Sequence, residues 1–315
     1  MPSYEFARCI VCGEADAREI AGPDEIRGEA ELLWQFHMRR LVPGTPSDRL
    51  VDRVAFSQPP PWRVVQCRTC ELVYRNPVER RETLQETYGS DAPARDVLLA
   101  LHETQQASYR AQARRLAHLL DRRGTGLEVG SYVGAFLAAA RETGWQFEGL
   151  DLNPHINAFV RSLGYAAHDG NLEAFPHDRT FDAVAIWNTF DQVADPRTTA
   201  RAAFRLLRPR GALAIRVPNG ACYVKWRRRL PRHIATVLLA HNNLLTFPYR
   251  FGFSPRSLAR LLRDIGFEIE TVVRDALVPT ADEWTRPWAR LEERVLKPLL
   301  KPFAPWFEMY ARKGD

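Results

Sequence analysis

Over residues 125–275 the apolar positions change rhythm repeatedly. Short apolar runs at Gly126–Val129, Phe147–Leu150, Tyr165–Ala167, Ala183–Trp187 and Ala212–Val217 read as strands. Between them Ala135–Arg141, Ile156–Leu163 and Thr199–Leu207 carry apolar residues at helical spacing. Strand–helix alternation at this interval predicts an α/β fold with a doubly wound, mostly parallel sheet. Upstream, Leu98, Leu101, Leu116, Leu119 and Leu120 predict one helix over residues 97–120, closed by Gly124.

The flanks keep a different pattern. Residues 1–90 read as a separate small region, with a helix near Glu29–Phe36 and a Pro/Gly-rich loop containing Pro43, Gly44, Pro46 and Pro59–Pro61. Short strands follow at Trp62–Gln66 and Leu72–Tyr74. The core is expected over residues 91–219, an inserted cap over 220–253, and the end of the core over 254–282. In the cap, Ile234–Ala240 is expected to be helical. Helix Ser257–Asp264 and strand Phe267–Val273 resume the core. Residues 283–315 space Trp284, Trp288, Leu291, Val295, Leu299, Phe303 and Phe307 in an amphipathic helical pattern interrupted by Pro302 and Pro305, read first as a helix packed on the domain, with a partner or membrane face as the alternative.

Composition narrows the class. Hydrophobic residues make 45% of the 315 and charged ones 26%, an ordinary globular balance. No apolar run approaches the roughly 18 residues of a membrane span, and the first residues lack a signal core. A cytoplasmic protein is expected. The net charge of +6 is mild, and its one cluster, Lys225–Arg229 with Arg232, reads first as a solvated helix face. No aromatic interleaving marks a nucleic-acid groove, so nucleic acid is disfavoured as a partner.

The chemistry concentrates where the first core strand ends. In Leu127-Glu128-Val129-Gly130-Ser131-Tyr132-Val133-Gly134 a strand enters a glycine turn and a helix starts at once. Glycines let the backbone turn tightly and approach a ligand. The free N–H groups of the helix N-terminus attract an anionic group. The second strand ends in Asp151, near the roughly 20-residue offset at which such folds bind ribose hydroxyls. A nucleotide-sugar or NAD-using enzyme on a similar sheet is a further alternative, and the spacing, which is not the G-x-G-x-x-G of dinucleotide sites, argues against NAD.

This segment resembles motif I of the class I S-adenosylmethionine (SAM)-dependent methyltransferases, written acidic-x-Gly-x-Gly-x-Gly. One of the family glycines is replaced by Tyr132 or Val133, depending on alignment. The resemblance runs over residues 108–273. Phe181-Asp182-Ala183-Val184 is similar to the family's Phe-Asp-x-Val. Trp187–Pro196 resembles Leu-Glu-His-Val-x-Asp-Pro, and Leu206–Leu213 resembles Leu-Lys-Pro-Gly-Gly-x-Leu. Phe253–Leu258, followed by Ile265-Gly266-Phe267, resembles the family's closing segment. The resemblance implies a Rossmann-like sheet and SAM as cofactor. It assigns Glu128, Gly130, Ser131, Gly134, Asp151, Leu152, Asn171, Leu172 and Trp187 to SAM, and Asn188, Gln192 and Asn219 to a small-molecule methyl acceptor. Sugar, lipid, polyketide and aromatic acceptors all fit.

The family often carries a histidine in the Glu-His-Val stretch and another before the closing Phe. Here Gln192 and Tyr249 stand there. Asp191, Tyr249 and His241 remain candidates for a general base, and Tyr249 is expected nearest the acceptor. Loss of both histidines also favours a second class of function, a catalytically silent SAM-fold scaffold or binding protein.

Four of the five cysteines form two pairs, Cys9-x-x-Cys12 and Cys67-x-x-Cys70. Two such pairs supply four thiolates to tetrahedral zinc, and a long insertion between them is tolerable because loop closure costs grow only logarithmically. Zn2+ on Cys9, Cys12, Cys67 and Cys70 is expected. The second pair resembles the Cys-x-x-Cys-Gly-Leu segment ahead of many small-molecule and sugar methyltransferases, with Glu71 in place of the glycine, implying a slightly altered knuckle.

Overall fold

The computed structural model describes residues 4–45, 63–81, 92–120, 124–242, 244, 250–276 and 285–314. In chain order they form β1 (Tyr4–Glu5), β2 (Ala17–Ala21), α1 (Pro23–Met38), β3 (Arg63–Cys67), β4 (Val73–Asn76), β5 (Val78–Glu79) and α2 (Arg95–Leu119). The core elements follow: β6 (Thr125–Val129), α3 (Ala135–Glu142), β7 (Gln146–Asp151), α4 (Pro154–Ser162), β8 (Ala167–Asp169), β9 (Phe181–Trp187), α5 (Pro196–Leu206) and β10 (Leu207–Pro218). The chain ends through α6 (Gly220–Arg229), α7 (Arg232–His241), β11 (Phe251–Gly252), α8 (Pro255–Arg263), β12 (Phe267–Asp275), α9 (Pro287–Leu300) and β13 (Trp306–Lys313).

The chain divides into two compact units. One joins Met1–Glu79, Val217–Leu258 and Val273–Phe307; the other joins Arg80–Arg216, Ala259–Val272 and Glu308–Asp315.

The second unit is built on a seven-stranded sheet in the order β8-β7-β6-β9-β10-β13-β12. The pairs β8–β7, β7–β6, β6–β9 and β9–β10 are parallel. The local sequence explains the turns. Asn153 and Asp195 cap α4 and α5 by accepting two backbone N–H bonds each, and a proline opens both helices. β9 is buried at every position, as the centre of a sheet covered on both faces must be.

The first unit carries a four-stranded antiparallel sheet in the order β11-β4-β3-β2 and a short β1–β5 ribbon. Its apolar core joins Val64 and Val73 of that sheet to Ile26, Cys222, Tyr223, Trp226, Leu239 and Trp306.

Two expectations change here, and a third segment is placed. Within residues 220–253, expected as a cap, the described residues form helices α6 and α7 and strand β11, and Cys222, Tyr223 and Trp226 are buried in the core around the cysteine-bearing sheet. The segment expected as one C-terminal helix, residues 283–315, splits. α9 ends at Leu300, where Pro298 and Pro302 interrupt the pattern, and β13 inserts between β10 and β12 with Trp306–Ala311 buried. The basic run is only partly solvated: Arg227 pairs with the buried Glu29, while Lys225, Arg228 and Arg229 stay exposed.

A cofactor cradle at the ends of three parallel strands

The turn after β6 is held from below. Gly130 and Ser131 donate backbone N–H bonds to Leu150 O at 2.8 and 3.3 Å, and Gly134 closes the turn onto Ser131 O at 2.8 Å. Gly130 takes φ +70°, and a Cβ there would lie 2.2 Å from the Thr189 hydroxyl, so no side chain fits. Gly134 is the left-handed N-cap of α3. Between them Tyr132 also takes a positive φ of 43°. Tyr132 thus holds, at a steric cost, a conformation that glycine adopts freely. Its side chain is 38% exposed.

Asp151 ends β7 directly beside this turn. Its Oδ2 accepts from Tyr132 N at 3.1 Å and its Oδ1 from Asn153 N at 3.0 Å. Burial pushes its carboxyl upward, against the pull of those backbone bonds. Leu152, next in the chain, is half-buried. Glu128, two residues before Gly130, is 2% exposed, and its Oε2 has no hydrogen-bond partner. Burial first, and the Asp151 charge second, hold its carboxyl well above the usual range. An orphaned acid of this kind costs free energy until a ligand donor reaches it. Ser131 Oγ and Trp187 Nε1 are likewise buried without partners.

Other expected contacts are committed within the chain. Asn171 Oδ1 accepts from Ala174 N at 2.9 Å, starting a turn of 3-10 helix that buries Leu172. Asn188 accepts from the buried Arg216 at 3.0 Å and donates to the Tyr109 hydroxyl at 3.4 Å, while Gln192 turns back onto Asn188 O. Asp191, in the same turn, is fully buried. These residues all lie in the second unit.

Three candidates lie in the other part of the chain. Asn219 caps α6 through Ala221 N and Cys222 N and donates to Ala304 O at 2.8 Å, so its amide serves that turn. His241 is buried against Phe36 at the end of α7, where burial first, then Lys297 and Arg40, push its pKa down to about 4. Tyr249 lies outside the described residues.

Sequence reasoning missed several residues that shape the cradle. Asn157 Nδ2 donates to Asp151 O, His168 O and Asp169 Oδ1, fastening the ends of β7 and β8 together. Its position on the first turns of α4 is the available signal. His102 of α2 bonds Val133 O through Nδ1 at 2.8 Å, steadying the glycine turn from a distant helix. Gly149 leaves room for Ser131, whose Oγ would lie 2.5 Å from a Cβ there.

The cysteine pairs close a second site, within the first unit. Cys9 and Cys70 approach to 3.3 Å Sγ to Sγ, Cys12 and Cys67 to 3.5 Å, and all four sulfurs lie within 4.8 Å of one another. Tetrahedral zinc with bonds near 2.3 Å separates its sulfurs by about 3.8 Å. The donor set, spacing and burial therefore fit zinc, and the contacts are too long for disulfides. The bond from Cys70 pulls the Cys9 thiol down to about 5, while the same contact and burial push Cys70 up. Each pair sits on a tight turn, with Gly13 N donating to Cys9 O at 2.8 Å and Glu71 N to Cys67 O at 3.1 Å.

Glu71 takes φ +65°, the conformation the family glycine would supply. At a residue with a side chain this conformation carries strain. Glu71→Gly should raise unfolding stability by about 1 kcal/mol: relief of about 1–2 kcal/mol of left-handed strain outweighs glycine's chain-entropy cost of about 0.5–1. A urea titration showing a lower midpoint for this variant would contradict that balance.

A family model described as methyltransferase domain matches residues 101–272, more than half of the 315. No curated protein matches the chain. Among solved structures it is similar to the complex between the Haloferax volcanii Trm112 methyltransferase activator and the putative methyltransferase, at 17% identity, covering 68% of this chain and 94% of that one with a TM-score of 0.48. It is also similar to a possible histamine N-methyltransferase from Thermotoga maritima (19% identity, 68% and 91% coverage, TM-score 0.45). A third is the CcbJ methyltransferase from Streptomyces caelestis (16% identity, 66% and 90% coverage, TM-score 0.47). Among the described residues no helix is long and apolar enough to cross a membrane. With the glycine turn, the acid-ended second strand and the family match over residues 101–272, the chain belongs to the SAM-dependent methyltransferases.

Proposed function

We propose that this chain transfers the SAM methyl group to a small-molecule acceptor, with a structural zinc on Cys9, Cys12, Cys67 and Cys70. The observation that carries the cofactor assignment is the cradle itself. Gly130 and Gly134 leave backbone open at the N-terminus of α3, Asp151 stands beside it, and the orphaned Glu128 lies behind it. In this reading Asp151 takes the ribose hydroxyls, the α3 N-terminus the cofactor carboxylate, and Glu128 its ammonium. Leu172 packs near the adenine.

When bound, the sulfonium supplies an electrophilic methyl group. The protein's own work is to position an acceptor behind it and exclude water. Asp191 and His241 are buried in the manner of structural groups, so the reading rests on positioning rather than on a named base. A small acceptor is favoured over nucleic acid because the basic run is interrupted, Arg227 being bound to Glu29.

Calorimetric titration with SAM, S-adenosylhomocysteine and NAD tests this. The first two should bind and NAD should not. Binding should also release a proton. Burial keeps Glu128 protonated in the free protein well above pH 4.5, whereas a cationic partner favours its carboxylate. Affinity should therefore tighten as pH rises and level off above the free-state pKa of Glu128. Binding of NAD, or of neither sulfur compound, overturns the cofactor reading. Zero proton release in buffers of differing ionisation enthalpy would remove Glu128 from the ammonium.

A further inference from the structure

α9 is amphipathic with its faces reversed. The side turned into the protein is polar: Ala289, Glu293 and Lys297 are buried, at four-residue intervals. Lys297 pairs with Glu293 at 3.3 Å. Arg40, itself buried, takes Glu293 at 3.1 Å, binds Glu292, and lies 5.6 Å from the Trp288 ring. The opposite side is apolar and open. Leu291 and Leu299 are each 63% exposed, Phe303 just beyond is 60%, and Trp288, Val295 and Leu296 are also exposed. A helix normally buries its apolar stripe and wets its charges. Here the ion pairs hold the helix down and the apolar stripe is left outward, a patch that marks an interaction surface.

Charge selects the occupant. Both acids of α9, Glu292 and Glu293, are bound by Arg40 on the inner side. Arg294 is the exposed cation of the helix, and Lys301 just beyond it is exposed but pairs with the buried Asp275 at 3.4 Å. The same unit exposes Arg228, Arg229 and Arg232 at the α6–α7 corner, next to the exposed apolar Ile234 and Val237 of α7. An apolar stripe with a basic border matches the boundary layer of an anionic bilayer. A two-fold copy of the chain would set like charges against each other. At 14 residues the helix is about 21 Å long, too short to span a bilayer and suited to lie along it.

We propose that α9 docks this protein peripherally on an anionic lipid surface, with Trp288, Leu291, Val295, Leu299 and Phe303 entering the acyl boundary and Arg294 facing lipid phosphates. α9 belongs to the first unit and the glycine turn to the second, and the proposal is independent of the acceptor assigned above.

Cosedimentation of the full chain with phosphatidylcholine vesicles, alone or mixed with phosphatidylglycerol, tests it. Binding is expected to the mixed vesicles and should weaken with salt. The Leu291→Glu, Leu299→Glu double variant should lose binding, and Arg294→Ala should weaken it about fivefold. All three proteins should keep the same metal content and SAM affinity, which shows them folded. Absence of binding to the mixed vesicles overturns the proposal, as does binding that ignores both substitutions. So does a concentration-dependent dimer in sedimentation velocity that the double variant abolishes, because the stripe then serves a second copy.

Discussion

Cys70→Ser should cost the protein its metal and most of the stability of the cysteine-bearing sheet. Cys70 follows β3, and its partner Cys9 lies 61 residues earlier in the chain. Besides the sulfurs, Arg68 N donates to Asp16 O at 3.2 Å and the exposed Arg68 and Asp16 side chains pair between these turns, and the β2–β3 ladder begins at Ala17↔Cys67. A tetrathiolate zinc on the proposed site would join the two turns directly. Apparent binding free energies of structural zinc in small peptides run about 10–16 kcal/mol, of the order of a whole domain's stability of about 5–15 kcal/mol. Losing one of four ligands should therefore lower the unfolding free energy by several kcal/mol, most of the worth of that sheet. Elemental analysis of protein purified without added metal should find one zinc per chain in the wild type and much less in the variant. Near-ultraviolet circular dichroism in urea should show a transition at lower denaturant. Cys222→Ser is the control: that thiol is buried in the apolar core, with burial pushing it up to about 12, and its loss should leave zinc content unchanged. Metal-free wild-type protein, or a Cys70→Ser variant of full stability, would defeat the assignment.

What was legible in the sequence follows what is local. The strands of the parallel sheet, the glycine turn, the acid at the end of β7 and the cysteine pairs all announce themselves within a few residues, through alternation, turn chemistry and spacing. The assembly of the first unit did not. Val73 and Trp226 share one core across more than a hundred residues, and nothing in the local pattern of α6 says which sheet receives it. The C-terminal segment misled because its apolar spacing suits a helix up to Leu300, and β13 begins only after two prolines. A buried inner strand reads as a plain apolar run, and Trp306–Ala311 is too short to separate from helix by period alone. Reading α9 as packed through its apolar stripe failed for the same reason in reverse: periodicity shows a stripe exists, and tertiary ion pairs decide which side is buried. At the cradle, the residue types were readable but not their obligations. Asn171, Asn188 and Gln192 look like ligand-binding amides in the sequence, and each is engaged by backbone or side chain of its own surroundings.

Asp151→Ala should weaken SAM binding by about 1.5–3 kcal/mol, or roughly 10–150-fold, the worth of hydrogen bonds to a charged acceptor. The argument begins with acceptor capacity. An ionised carboxylate offers about four lone-pair sites, and the bonds from Tyr132 N and Asn153 N leave the carboxylate room for ligand hydroxyls. Those same bonds aim it: with the glycine turn on one oxygen and the start of α4 on the other, the carboxylate has little freedom to swing away. Asn157 fixes the backbone beneath it through Asp151 O at 3.0 Å. Ala removes both the ligand contact and this internal brace, so the two losses must be separated. Asp151→Asn does that. Its amide oxygen keeps one of the two backbone N–H bonds, while its NH2 replaces the other oxygen and loses both that backbone bond and the capacity to accept from a ligand hydroxyl. The loss of affinity should fall between wild type and Ala, while unfolding of the free protein stays closer to wild type. The free-state charge matters as well. Removing Asp151 takes away the second cause of the raised Glu128 carboxyl, so Glu128 should ionise at lower pH and proton release on binding should shrink in both variants. Calorimetry that finds unchanged SAM affinity in Asp151→Ala would take this residue out of the cofactor site. Equal affinity losses for Ala and Asn, with equal losses of free-protein stability, would reduce its role to bracing the turn.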